Sequence, residues 1–97
     1  MAREISLETT MFMEWLEVQI KTAEWSRTAA AGAFGVSRQT LHRWINGDIV
    51  PSVGRLVYIA EIMSNKRSVS IETIWDELLQ IFLVESLLAK QEEGIPF

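Results

Sequence analysis

The sequence contains no cysteine, which excludes disulfides, Cys-ligated zinc, iron–sulfur clusters and thiol catalysis. It contains a single histidine, His42, with no cysteine beside it to complete a metal site, so neither a metal nor a cofactor is expected. No Ser/His/Asp arrangement, phosphate-binding glycine loop or dinucleotide motif is present. Asp76-Glu77 and Glu92-Glu93 are paired carboxylates only in sequence, since adjacent residues on a helix do not face each other. An enzyme is therefore not expected. The most apolar stretch, residues 71–89, is interrupted by Glu72, Asp76, Glu77, Gln80 and Glu85, which a membrane-spanning helix would not tolerate without partners. The chain opens Met-Ala-Arg-Glu with no apolar run behind it, so the expectation is a soluble, cytoplasmic protein without a signal peptide.

Positive charge is also scarce. Nine Lys and Arg stand against thirteen Asp and Glu, a net charge of −4, which on average disfavours a partner as negative as nucleic acid. The charge is unevenly spread. Residues 25–67 carry Arg27, Arg38, Arg43, Arg55, Lys66 and Arg67 against Asp48 and Glu61, a net +4, between flanks of −3 and −5. A basic centre of this kind is the local footprint of a nucleic-acid binder. At 97 residues and 48% hydrophobic composition, the chain fits one globular domain, or a small domain with an appendage.

Apolar spacing predicts five helices and an all-α fold. The first covers about 10–23, with Phe12, Trp15, Leu16, Ile20 and Ala23 at helical spacing. Ser26 can cap a second, 27–34, rich in alanine, which favours helix and permits close approach of a neighbour. Gly35 can end it in a left-handed conformation. Ser37 can cap a third, 38–45, with Val36 and Leu41 placed as a hydrophobic staple, and Asn46-Gly47 stops it. Pro51-Ser52 opens a fourth, 53–63, with Leu56, Val57, Ile59, Ala60 and Met63 inward. A polar turn precedes a fifth helix from about Ser70 to about Lys90, although Val69 and Ile71 alternate with serines as a short strand would.

Two short helices joined by Gly35-Val36-Ser37 make a tight helix–turn–helix. Leu41 and Trp44 face inward from the second of them, which leaves Arg38, Gln39, His42 and Arg43 outward and Thr40 at an edge. Arginine can bond bidentately to guanine and glutamine to adenine in the major groove. These four are the candidate base-contacting residues.

The stretch from Ser26 through Gly47, with Gly35-Val36-Ser37 ahead of Arg43-Trp44 and Gly47, then Pro51-Ser52, Leu56, Ile59 and Ala60, resembles the phage-repressor and Cro-like (XRE-type) helix–turn–helix family. The resemblance covers about residues 12–63. It implies a lambda-repressor-like DNA-binding domain in which Arg27, Ser37, Thr40 and Asn46 contact phosphate, Asn46 through its backbone. Three positions depart from the family's pattern. Ile20 and Ile45 stand where an ion pair is frequent, Asp48-Ile49-Val50 replaces a basic loop, and Ala30 replaces a larger aliphatic residue, leaving space for Phe34 or the tryptophans. Trp15, Trp25, Trp44 and Trp75 are read as packing residues.

From Ile81 onward the fifth helix turns apolar on every side, and a helix apolar all round is buried all round. The expectation is a homodimer formed by Trp75, Leu78, Ile81, Phe82, Leu83, Val84, Leu87 and Leu88. The domain reading is a flexible N-terminus over 1–9, a helix–turn–helix domain over 10–63, a linker turn over 64–70 and a dimerisation helix over 71–93. The expected function is a sequence-specific double-stranded DNA-binding regulator, a repressor of phage, prophage or plasmid type acting on a palindromic operator. Two alternatives stand beside it. One is an antitoxin-type autorepressor whose last segment binds a toxin (an antirepressor is a related partner). The other is an interaction adaptor with a degenerate helix–turn–helix, using Ile49, Val50 and the last helix.

Overall fold

The computed structural model describes the backbone of residues 6–92 and the side chains of residues 6–83. Each of its five helices starts on a serine. Ser6, Ser26, Ser37, Ser52 and Ser70 accept, through Oγ, the amide N–H of the residue three positions on. Each such cap satisfies one of the donors that a helix start leaves open and contributes about 1 kcal/mol. The helices are α1 (Leu7–Thr22), α2 (Arg27–Phe34), α3 (Arg38–Ile45), α4 (Val53–Arg67) and α5 (Ile71–Glu92).

The first four also end alike. After each, one residue takes a left-handed conformation and two amides turn back onto the last turn, as at Gly35→Gly32 and Val36→Ala31. Glycine fills this position after α2 and α3, at Gly35 and Gly47. Glu24 fills it after α1, and Ser68 after α4, at φ of 58° and 57°.

These boundaries correct the sequence reading in two places. Residues 7–9 belong to α1, because the Ser6 cap sets the helix start three residues earlier than the apolar period does. Residues 64–67 are the last turn of α4 and not a linker, because the stop comes only at Ser68. No strand forms at Val69–Ile71, and none occurs among the described residues.

One core holds all five helices. Phe12 and Leu16 of α1, Ala30, Ala31 and Phe34 of α2, and Leu41, Trp44 and Ile45 of α3 join it. So do Leu56, Ile59, Ala60 and Met63 of α4 and Ile74, Leu78 and Ile81 of α5. Val57 is the exception among the residues expected inward on α4, and stands partly exposed. α5 packs on both α1 and α4, and α3 is held by α1 and α2. The beginning of α5 is thus a structural wall of the helical core, not an appendage joined by a linker. Phe12 stacks near Trp15 and Phe82, and the Trp25 ring meets Phe34 edge-on with centroids 5.6 Å apart. Ala30 and Phe34 lie in the same buried cluster, against which Trp25 packs.

A polar clamp fastens α5. The Arg67 guanidinium donates twice to Glu77, at 2.8 Å to each carboxylate oxygen, and also to Gln19 Oε1 at 3.1 Å. Trp15 Nε1 donates to the same carboxylate at 2.8 Å. The hydrogen bond from Arg67 is the main reason that the Glu77 carboxyl is held below its ordinary range, and its partner holds Arg67 above its own. Paired, bidentate geometry of this kind is stronger than an isolated surface ion pair. Gln19, 4% exposed on α1, is satisfied by this clamp and by its bond to the Trp15 carbonyl.

Candidate nucleic-acid interface

α2 and α3 are separated by three residues, and Gly35 at φ 70° supplies the bend. A side chain at that φ would be strained. Ala30 and Ala31 are fully or almost fully buried at the α2 side of the joint, and their small size lets α3 and α4 approach. Val36 packs against the core ahead of the Ser37 cap, with Leu41 buried one turn inside α3, as the staple requires.

Burial of Leu41, Trp44 and Ile45 fixes which face of α3 is outward. Arg38, Gln39, His42 and Arg43 are all exposed, and Thr40 is half-buried at the edge. Arg27, at the start of α2, meets Arg38, Gln39 and His42 around one shallow cleft. The fold thus joins the expected phosphate-holding arginine to three of the four expected base readers. Arg43 lies outside that cleft.

The polar partners refine the phosphate set. The Ser37 hydroxyl donates to Thr40 Oγ1 at 3.1 Å while its oxygen accepts the Thr40 amide. Its one proton is therefore committed to the cap, and Thr40 keeps the hydroxyl proton that faces outward chemistry. Asn46 corrects the expectation most directly. Its backbone N–H donates to the His42 carbonyl, and those of Gly47 and Asp48 return to Trp44 and Arg43. No backbone donor is left at Asn46 for a phosphate, because the helix stop consumes all three amides. The Asn46 side chain remains, with Nδ2 2.9 Å from His42 Nε2. An amide nitrogen only donates, so His42 Nε2 is the acceptor in this contact.

The basic centre separates by partner. Arg67 is neutralised by Glu77, Lys66 lies 5.7 Å above the Trp25 ring, and Arg55 donates to the Phe34 carbonyl. Among the described residues, Arg27, Arg38 and Arg43 have no carboxylate partner. Ile20 and Ile45 line a common groove with Trp25, an apolar arrangement where an ion pair would need to recover a large desolvation cost.

The expected dimer residues separate too. Leu78 and Ile81, at 1% and 5% exposure, are buried inside the protomer and are not available to a second copy. Trp75 and Phe82 are half-buried against the core, and Leu83 is exposed. Val84, Leu87 and Leu88 have side chains outside the described residues. Leu79 and Val53, outside that expected set, are well exposed apolar residues. Leu79 continues the i, i+4 step from Trp75 to Leu83 along α5, whereas Val53 opens α4.

Among the described residues, no helix is long and apolar enough to cross a membrane, and no group of three His, Cys, Asp or Glu is placed to hold a metal. Comparison with curated proteins and with solved structures finds no match. Comparison with family models matches residues 20–62 to the helix-turn-helix family, a segment running from the last turn of α1 through most of α4. Residues 20–62 are therefore similar to the helix-turn-helix family, in agreement with the α2–turn–α3 geometry and with the XRE-type resemblance of the sequence.

Proposed function

We propose that the protein is a sequence-specific regulator that binds double-stranded DNA as a homodimer on a palindromic operator, and represses by covering a promoter. The observation that carries this reading is the outward face of α3, where Arg38, Gln39, His42 and Arg43 stand exposed with Arg27 beside them. That set offers bidentate partners for guanine and adenine at the N-terminal end of a recognition helix, with a neighbouring cation for phosphate. Thr40 and the Asn46 side chain complete the candidate backbone contacts, and Ser37 serves as the cap that orients them.

Dimerisation is supported by the apolar surface that the protomer leaves uncovered. Val53 is 76% exposed and Leu79 and Leu83 about half exposed. Val50, Pro51, Val53, Trp75, Leu79 and Phe82, with Glu8 of α1 at the edge, line one groove against α5. A second copy seated there by a two-fold axis would place two recognition helices on one face of the duplex, about 34 Å apart in successive major grooves.

Selection of bound fragments from random or genomic DNA, followed by sequencing, tests the reading. A palindromic consensus is expected. Arg38→Ala with Gln39→Ala should remove the sequence preference, at about 1–3 kcal/mol per good bidentate contact. Operator affinity should also fall steeply as salt rises. Selection that yields no consensus would refute the proposal and favour the adaptor.

A further inference from the structure

Arg55 belongs to the basic centre by sequence, yet its side chain does something other than face solvent. It sits at the third position of α4, where its backbone N–H is held by the Ser52 cap. Its Nη1 donates to the Phe34 carbonyl at 3.3 Å. Phe34 is the last residue of α2, so this carbonyl is one of those with no partner inside its own helix. The guanidinium also supplies positive charge at the negative end of the α2 dipole. The Tyr58 ring lies one helical turn further along, with the guanidinium carbon 6.0 Å from its centre. A Cβ built on Gly35 would touch Arg55 Nη1 and Tyr58 Cε2, each at 3.4 Å. Arginine and tyrosine thus lie directly against the pivot of the helix–turn–helix.

We infer that Arg55 and Tyr58 are positioning residues that latch the turn between α2 and α3 to α4 and so fix the angle of the recognition helix. The inference rests on the DNA-reading proposal above for its consequence, but not for its geometry. Gly35 occupies a region of backbone space that is soft for glycine, and only three residues join the two helices. α3 has eight residues, a length of about 12 Å at 1.5 Å per residue. A tilt of about 10° at the pivot moves its far end by roughly 2 Å, against a tolerance of about 0.5 Å for a productive site. Packing of Leu41 and Trp44 resists such a tilt from below. Arg55 closes it from the side of the turn, by holding the final carbonyl of α2 to a different helix. Its charge does not have to reach DNA for it to matter to specificity.

Arg55→Met keeps the stem that covers Tyr58 and removes the donor to Phe34. Two measurements judge it. In the protein without DNA, the Val36 amide, bonded to Ala31, should exchange its hydrogen about tenfold faster. On DNA, affinity for the selected operator should fall about tenfold, while affinity for random duplex and the slope of log affinity against log salt stay as in the wild type. Tyr58→Phe, which keeps the ring, should match the wild type in both. Arg55→Lys retains the charge but not the planar fork, and should lose operator preference nearly as Arg55→Met does. A salt slope reduced by about one, with equal weakening on both DNAs, would identify Arg55 as a phosphate contact and overturn the latch. Unchanged exchange at Val36 would overturn it as well. If the wild type itself selects no operator, the DNA-reading proposal fails, while the exchange experiment still decides the latch.

Discussion

Leu78 and Leu79 are neighbours on α5 with opposite surroundings, and truncating each to alanine separates the core role of the helix from its pairing role. Leu78 is 1% exposed, in a cluster with Phe12, Leu16, Ile74 and Ile81. Leu78→Ala removes buried carbon and leaves a cavity that helices pinned by their own packing refill only in part, a loss of about 3 kcal/mol. In a domain of this size each kcal/mol is about 4–8 °C of melting temperature. The expected fall is therefore roughly 15 °C, whatever the protein concentration. Leu79 is 49% exposed, so Leu79→Ala should cost the protomer less than about 1 kcal/mol. In a two-fold pair every substitution acts twice. Burial of the exposed half of each leucine then sets the loss on association at about 2 kcal/mol, some thirtyfold in the dimer constant. Thermal melts over a concentration series, with sedimentation equilibrium on the same samples, read both quantities. A Leu78→Ala protein that melts like the wild type would refute the placement of α5 in the core. A Leu79→Ala protein that associates normally would refute the proposed pairing face.

The helix stops make a second prediction. Glu24→Gly and Ser68→Gly should each stabilise the protein by about 0.5–1 kcal/mol in chemical denaturation, since the left-handed conformation penalises a side chain. Gly47→Ala should destabilise more than Gly35→Ala. Both positions are left-handed, but a Cβ at Gly47 would come to 2.7 Å from Met13 Sδ, against contacts of 3.4 Å at Gly35. The flexible thioether can move aside at a cost below about 1 kcal/mol, and this extra cost should vanish in a Met13→Ala background. The clamp on α5 sets an acid limit. Glu77 is held below its ordinary value when folded, chiefly by the Arg67 hydrogen bond. Its stabilisation is therefore complete above the unfolded carboxylate range, near pH 4.3, and disappears as pH falls through the lower folded value. Denaturation midpoints from pH 6 to pH 2 should fall more gently for Glu77→Gln than for the wild type.

Much of the fold was legible because the sequence marks helix ends chemically. Ser26, Gly35 and Ser37 bound α2 and α3 to the residue, and the outward set of α3 follows once Leu41 and Trp44 are inward. Glu24 and Ser68 carry no such mark, since neither residue type favours a positive φ, and so the last turn of α4 read as a loop. Residues 64–67 are polar because they ring an exposed helix end, while Arg67 reaches across the Ser68 turn to Glu77. That pairing, ten residues apart, leaves no periodic trace, and neither does the burial of Gln19. On α5, spacing distinguished apolar from polar faces but not what each apolar face meets. Leu78 and Ile81 proved to be core, whereas Leu79 and the expected Leu83 are exposed. The Asn46 amide was hidden from spacing for a related reason. A helix that stops on Gly47 spends the very amides that the family resemblance offered to phosphate.

Because Ile74, Leu78 and Ile81 share a core with Leu41 and Trp44, among the described residues no joint separates the element proposed to read DNA from the one that would pair two copies. A dimer built this way behaves as a fixed caliper. One base pair inserted at the centre of its operator displaces the half-sites by about 3.4 Å and rotates them by about 34°, and the protomer has no hinge with which to follow. Such a protein distinguishes its sites by the distance between two short words as strictly as by the words themselves.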